Sequence, residues 1–248
     1  MRWKDGAGLA SAIGCCLTMA FGMWNSQANA TPPVPDSAAP AAPGWTNWPE
    51  LDGWTGWTQN KVKGDITIYE KRMEGQEVLG FGGETILEVD IETACSVIGD
   101  FNNYPAWMKY NILSQPLSGD GEIQGHLYMV FDPPFPLSDR DYMTWAYRDS
   151  HPSGLWILGA DSLESELDKK EDCCVRAVLY AAFFLEDLGN NQTRIVVKVI
   201  TDLRGALPGW LKNLIAEDWP TDTLSGIQQR LASGQTQQHA QCLRGVFD

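Results

Sequence analysis

Positive charge is what this chain has least of. Its 248 residues carry 18 Lys and Arg against 32 Asp and Glu, a formal charge of −14 at pH 7. Phosphate backbones are held by clustered Lys and Arg that displace condensed counterions, so nucleic acid is excluded as a partner. A general attraction to anionic lipid surfaces is excluded for the same reason. Histidine is also scarce. His126, His151 and His239 show no ligand spacing with one another and no Cys-x-x-Cys occurs, so no protein-bound metal is expected. No P-loop, nucleophile elbow, ordered Ser-His-Asp set or Gly-x-Gly-x-x-Gly stands in a credible context, which leaves catalysis without a motif and calls for no cofactor. Disorder is excluded by composition, with 44% hydrophobic and only 20% charged residues.

What is present begins with an export pattern. Arg2 and Lys4 open the chain, an apolar run extends from Ala7 to Trp24, and Ala28-Asn29-Ala30 gives the small-x-small motif of a signal-peptidase site. Residues 1–30 are therefore expected to be a signal peptide, cleaved near Ala30, and the mature chain to be secreted or periplasmic. Two alternatives are an uncleaved anchor, since the run is borderline for crossing about 30 Å of hydrocarbon, and lipidation at Cys15. Losing two basic residues and one acidic residue takes the net charge from −14 to −15. Pro32, Pro33, Pro35, Pro40 and Pro43 make residues 31–44 an extended linker. A single domain is placed at 45–235, with a short tail over 236–248. Export leaves Cys95, Cys173, Cys174 and Cys242 in a compartment that permits disulfides. Adjacent Cys173 and Cys174 should face opposite sides of a strand and take different partners, and the connectivity stays open.

Residues 49–61 read as a first helix, with Trp54 and Trp57 on one face. Two β-rich runs follow at 66–70 and 78–89, joined by a turn at 73–76. Asp90 caps an expected helix to Ile98, and Pro105 suits the opening turn of a second short helix at 103–110. Strands are expected at 122–131, 141–148, 154–163, 173–185 and 193–201. Beyond Pro208 the period turns helical: Trp210, Leu211, Leu214 and Ile215 form one stripe, which Leu224, Ile227 and Leu231 continue after a break at Pro220. This order predicts an α+β fold in which a curved antiparallel sheet wraps a long C-terminal helix, an arrangement able to keep an internal hydrophobic cavity.

The most distinctive segment is Pro134-Phe135-Pro136-Leu137-Ser138-Asp139-Arg140-Asp141-Tyr142. It resembles the signature of the START lipid-transfer domains, within the Bet v 1-like helix-grip (SRPBCC) superfamily. Ala206-Leu207-Pro208-Gly209-Trp210-Leu211-Lys212-Asn213 is similar to that family's opening of the C-terminal helix. Asp100 to Trp107 resembles its second short helix, and Gly64 to Glu70 its first strand, so the likeness spans roughly residues 48–232. It implies one lipid or similar hydrophobic molecule enclosed under the C-terminal helix, without catalysis. In phosphatidylcholine-carrying members an aromatic cage and a charged pair hold the headgroup. Here the cage positions fall on Met129, Tyr142 and Tyr180, and the charged positions on Tyr104 and Met108. A quaternary ammonium wants a complete aromatic box and a buried phosphate wants Arg. The expectation shifts toward a more apolar ligand with one hydroxyl or carboxyl end, such as a sterol, hopanoid, fatty acid, carotenoid or quinone.

If Tyr142 faces inward, then Arg140, Thr144 and Ala146 do as well, and Met129 brings Leu127 and Phe131 with it. Arg140 either touches ligand or clamps its own turn through Asp139 or a neighbouring Glu, and burial would demand a carboxylate partner. The candidate ligand-binding residues are Tyr142, Tyr180, Arg140, Met129, Trp107 and Thr144, with Trp210, Leu211, Leu214 and Ile215 from the helix. Core packing is the competing role for Trp107 and Trp210. Pro220 and Gly226 mark an expected bend in a lid helix. A monomer making transient membrane contact is expected. Two other classes fit the same fold: a polyketide cyclase or aromatase-like enzyme using His126, Asp141 and Tyr142, and a protein-docking module using Trp45, Trp48 and Trp54. His126 has the opposite strand parity to Met129, which weighs against the enzyme.

Overall fold

The computed structural model describes residues 56–71, 79–119, 124–163, 166, 173–205, 207–234, 242 and 247. All fall in the compact unit Val34–Asp248. Outside the described residues lie the expected signal peptide and linker, residues 49–55 of the expected first helix, and the turn at 73–76.

Ten strands and two α-helices are present among the described residues. In chain order they are β1 (Thr58–Lys63), β2 (Ile66–Lys71), β3 (Leu79–Leu87), α1 (Ile91–Ile98), β4 (Asn111–Gly119), β5 (Gln124–Phe131), β6 (Arg140–Ser150), β7 (Trp156–Ser162), β8 (Val175–Arg176), β9 (Val178–Gly189), β10 (Gln192–Asp202) and α2 (Gly209–Ala232). A 3₁₀ turn, Phe101–Ala106, follows α1. The strands form one curved sheet in the order β1-β2-β3-β10-β9-β7-β6-β5-β4, antiparallel throughout, with β8 added in parallel beside the start of β6. Turn chemistry sets the register where it is tightest. Asn190 and Asn191, both at positive φ, make the two-residue loop between β9 and β10, a conformation Asn tolerates better than most residues. Asp90 caps α1 as its sequence indicated, accepting from the Thr93 amide at 2.9 Å and the Thr93 hydroxyl at 2.8 Å.

Four local expectations are corrected. Residues 58–63 are a strand paired with β2 rather than the end of a helix. The short helix at 103–110 is instead the 3₁₀ turn at 101–106. Strand β4 was not anticipated, because Pro116 interrupts it. β4 ends the sheet path, and an outer strand is where a missing N–H is tolerated. Finally, α2 runs unbroken from Gly209 to Ala232 through Pro220. Burial of Trp219, Leu224 and Ile227 against the sheet outweighs the one helix bond a proline removes.

Cysteine pairing also departs from strand logic. Cys173 and Cys174 are bonded to each other, because they sit in a turn ahead of β8, where side chains do not alternate. Cys95 of α1 bonds Cys242, and both are fully buried. Phe247 is buried beside Phe101 at 5.6 Å between ring centroids, so two residues beyond 235 belong to the core. A crosslink across 147 residues of chain limits the unfolded ensemble. Cys242→Ser is expected to lower the unfolding free energy by about 2–5 kcal/mol in urea titrations. An unchanged midpoint would show that the bridge contributes nothing.

Candidate functional site

The inward face of the sheet is set by strand parity. On β5 it carries Leu127, Met129 and Phe131, and on β6 it carries Arg140 and Tyr142. Met129 and Tyr142 are direct cross-strand partners. β7 adds Leu158 and Ala160, β9 adds Leu179, Ala181 and Phe183, and β10 adds Val199 and Thr201. Helix α2 closes the space with Ile215 and Trp219, and the segment after α1 contributes Phe101, Tyr104, Met108 and Tyr110. Together they surround about 880 Å³ of atom-free space, part of it open to solvent.

Almost all of this wall is apolar, and its polar groups are few. The Tyr104 hydroxyl donates to the Ile98 carbonyl at 2.7 Å. The Thr201 hydroxyl donates to the Val178 carbonyl at 2.7 Å, so its oxygen is an acceptor for the Tyr142 hydroxyl at 3.3 Å. Burial pushes the Tyr142 phenol up to about 12, and it stays protonated. Arg140 has no carboxylate partner among the described residues. Its Nε donates to the Leu203 carbonyl at 3.0 Å, Nη2 donates to the Arg204 carbonyl at 3.2 Å, and Nη1 donates to the Ser138 carbonyl. The carboxylate expected beside it is thus replaced by main-chain oxygens, which tie the loop before β6 to the loop after β10.

Of the ten candidate residues, Met129, Arg140, Tyr142 and Ile215 line the cavity. Thr144 is on the same face but buried away from the space, its hydroxyl donating to the Leu127 carbonyl at 3.1 Å. Trp107 packs edge-on against Tyr104 at 4.9 Å. Leu211 is wholly buried in the core, and Leu214 is partly buried against it. Two placements are corrected. Tyr180 points to the opposite face of β9, because Leu179 and Ala181 take the inward positions. Trp210 is 58% exposed, since the inward stripe of α2 runs through Leu211, Ile215 and Trp219 instead. Trp219 and Phe183 were missed. Trp219 continues the four-residue spacing from Leu211 and Ile215, a legible signal that the assumed break at Pro220 obscured.

The acid-base groups weighed for an enzyme are not gathered in the cavity. His126 is buried on the opposite face, edge-on to Trp145 at 4.8 Å. Asp141 shares that face and is bound by Arg176 through Nε at 3.0 Å and Nη2 at 2.7 Å. Tyr142 alone of the three faces the space. Among the described residues no group of His, Cys, Asp and Glu is placed to hold a metal ion. Trp45, Trp48 and Trp54 lie outside the described residues.

On the outer face Asp161 is a costly group. Burial raises the Asp161 carboxyl from 3.8 to about 6, opposed by a 3.3 Å hydrogen bond from the Tyr147 hydroxyl, and its Oδ1 has no partner. An acid whose folded pKa is raised costs stability above that pKa, and the cost disappears as pH falls from about 6 toward 4. Asp161→Asn is therefore expected to raise the unfolding free energy by about 1–3 kcal/mol at pH 7.5, with a smaller gain at pH 5, in paired urea titrations. A gain of equal size at both pH values would contradict this account.

Residues 87–231, more than half of the chain, match the family model of the START domain. The chain is 21% identical over 168 residues to the uncharacterised protein PA1579 of Pseudomonas aeruginosa, covering 68% of this chain and 83% of that one. Its fold is similar to a STAR-related lipid transfer protein fragment of Xanthomonas axonopodis, with a TM-score of 0.64, 21% identity, and coverage of 71% of this chain and 99% of that one. It is likewise similar to human STARD10, with a TM-score of 0.68, 16% identity, and coverage of 82% and 85%. Sheet, closing helix and family model agree: this chain belongs to the START-domain family.

Proposed function

We propose that the protein is an exported carrier that takes up one lipid or other hydrophobic molecule and passes it between membranes without catalysis. The observation that carries this reading is the largely apolar space lined by the inward face of the sheet and by Ile215 and Trp219 of α2. Burying each CH₂ is worth about 0.8 kcal/mol relative to water, and a bilayer offers the ligand nearly the same. Net uptake therefore rests on fit and on a few polar contacts, which matches a wall with only a handful of polar side chains. Export rests on the pattern in residues 1–30, and the reading places the mature protein as a monomer in a periplasmic or extracellular space.

Contact with a membrane is assigned to two exposed apolar side chains. Phe135, 89% exposed in the loop before β6, and Trp210, 58% exposed in the first turn of α2, are costly to leave in water and suited to the bilayer interface. A surface so acidic keeps such contact brief on anionic membranes.

The test is lipid uptake from mixed vesicles. Ala181→Trp fills the cavity from β9, and it is expected to reduce uptake at least tenfold while far-UV circular dichroism shows the sheet intact. Uptake at the unmodified level would place the ligand elsewhere. The pair Phe135→Ser and Trp210→Ser is expected to slow transfer between vesicles severalfold without changing how much lipid is held at equilibrium. An unchanged rate would remove these side chains from membrane contact.

A further inference from the structure

The cavity has an unbalanced charge at its polar end. Arg140 is 5% exposed, and among the described residues it is the only ionised side chain that lines the space at neutral pH. The comparison within the same molecule is direct. Buried Arg176 holds Asp141 at 2.7 Å, and Arg230, with a side chain only 10% exposed, holds Asp100 at 2.7 Å. Arg140 has no carboxylate within ion-pair distance among the described residues. Asp139 attracts it through the field but does not touch it, and its contacts are three main-chain carbonyls and the Ser138 hydroxyl. Carbonyl dipoles soften the cost of a buried guanidinium but do not neutralise it, and Arg does not deprotonate in proteins.

The neighbouring groups narrow the ligand further. The Thr201 hydroxyl proton is committed to the main chain at 2.7 Å, whereas the Tyr142 proton rests on a longer 3.3 Å bond to Thr201. What this end offers an incoming molecule is therefore donors: an Nη2 proton of Arg140 and the Tyr142 hydroxyl. A neutral quinone brings no charge, a sterol hydroxyl needs an acceptor as well as a donor, and a choline phospholipid carries a quaternary ammonium along with its phosphate and so adds no net charge to balance Arg140. An acceptor-only anion on an apolar chain answers both the charge and the donors.

We infer that the occupant is a long-chain carboxylic acid, its carboxylate held by Arg140 with the Tyr142 hydroxyl as second donor and its chain along the apolar wall. This rests on the carrier reading and names the ligand class for the same cavity.

A matched pair of probes tests it: the fluorescent polyene cis-parinaric acid and its methyl ester, titrated into the delipidated protein at pH 8. The two share a chain and differ in charge. The acid is expected to bind at least about tenfold more tightly than the ester, the scale of one charge-assisted hydrogen bond. In Arg140→Gln the acid-to-ester ratio is expected to fall to near one, and in Tyr142→Phe to fall partway. Equal binding of acid and ester by the unmodified protein overturns the inference and leaves the carrier reading standing. If neither probe binds and no lipid enters from vesicles, the carrier reading itself fails. Because the decisive comparison uses the unmodified chain, a variant that folds poorly does not decide the outcome.

Discussion

Helix α2 lies on the sheet where side chains are missing. A Cβ on Gly83 of β3 would come within 3.0 Å of Leu224 and 3.4 Å of Pro220, and one on Gly226 would run into the main-chain carbonyl of Trp107. Those two glycines let the C-terminal half of the helix settle against β3 and the 3₁₀ turn. Polar ties hold the same half: Arg230 to Asp100 at 2.7 Å, Gln228 to Asp65 at 2.7 Å, and Lys109 to Asp222 at 2.6 Å. Toward its N-terminus Leu211 is buried in the core, while Ile215 and Trp219 line the space without filling it.

The distribution of charge follows from the same geometry. Among the described residues Asp141 is committed to Arg176, and Asp161 is a buried exception held only by Tyr147. The described lining of the cavity is the reverse: one guanidinium and no carboxylate. Because Arg140 also gathers the carbonyls of Ser138, Leu203 and Arg204, it belongs both to the architecture of the two loops and to the polar end of the site. Of the two sequence-based alternatives, the turn clamp is present, made by carbonyls in place of a carboxylate, and ligand contact is the proposed second role.

The helix-grip architecture was legible because its signals are periodic and local. Alternation marked most strands, the three-and-four spacing marked α2, and the motifs around Arg140 and Trp210 placed both in the family. Parity along β5 and β6 correctly separated Met129 and Tyr142 from His126, since a period of two follows directly from the chain. What failed depended on long-range information. The cage correspondence put Tyr180 inward, but the register of β9 against β7 and β10 assigns that direction to Leu179 and Ala181. Pro220 read as a break because its local cost is visible in sequence and the packing that offsets it is not. The bond between Cys173 and Cys174 was hidden because it lies in a turn, where strand alternation gives no guidance.

The central claim is that the cavity exists to hold a single hydrophobic molecule. Solvent extraction of the natively produced protein, followed by mass spectrometry of what is released, tests it most directly. The account predicts one ligand class at close to one molecule per chain, with an acidic headgroup. A clean extract, or a mixture in the proportions of the surrounding membrane, would contradict it.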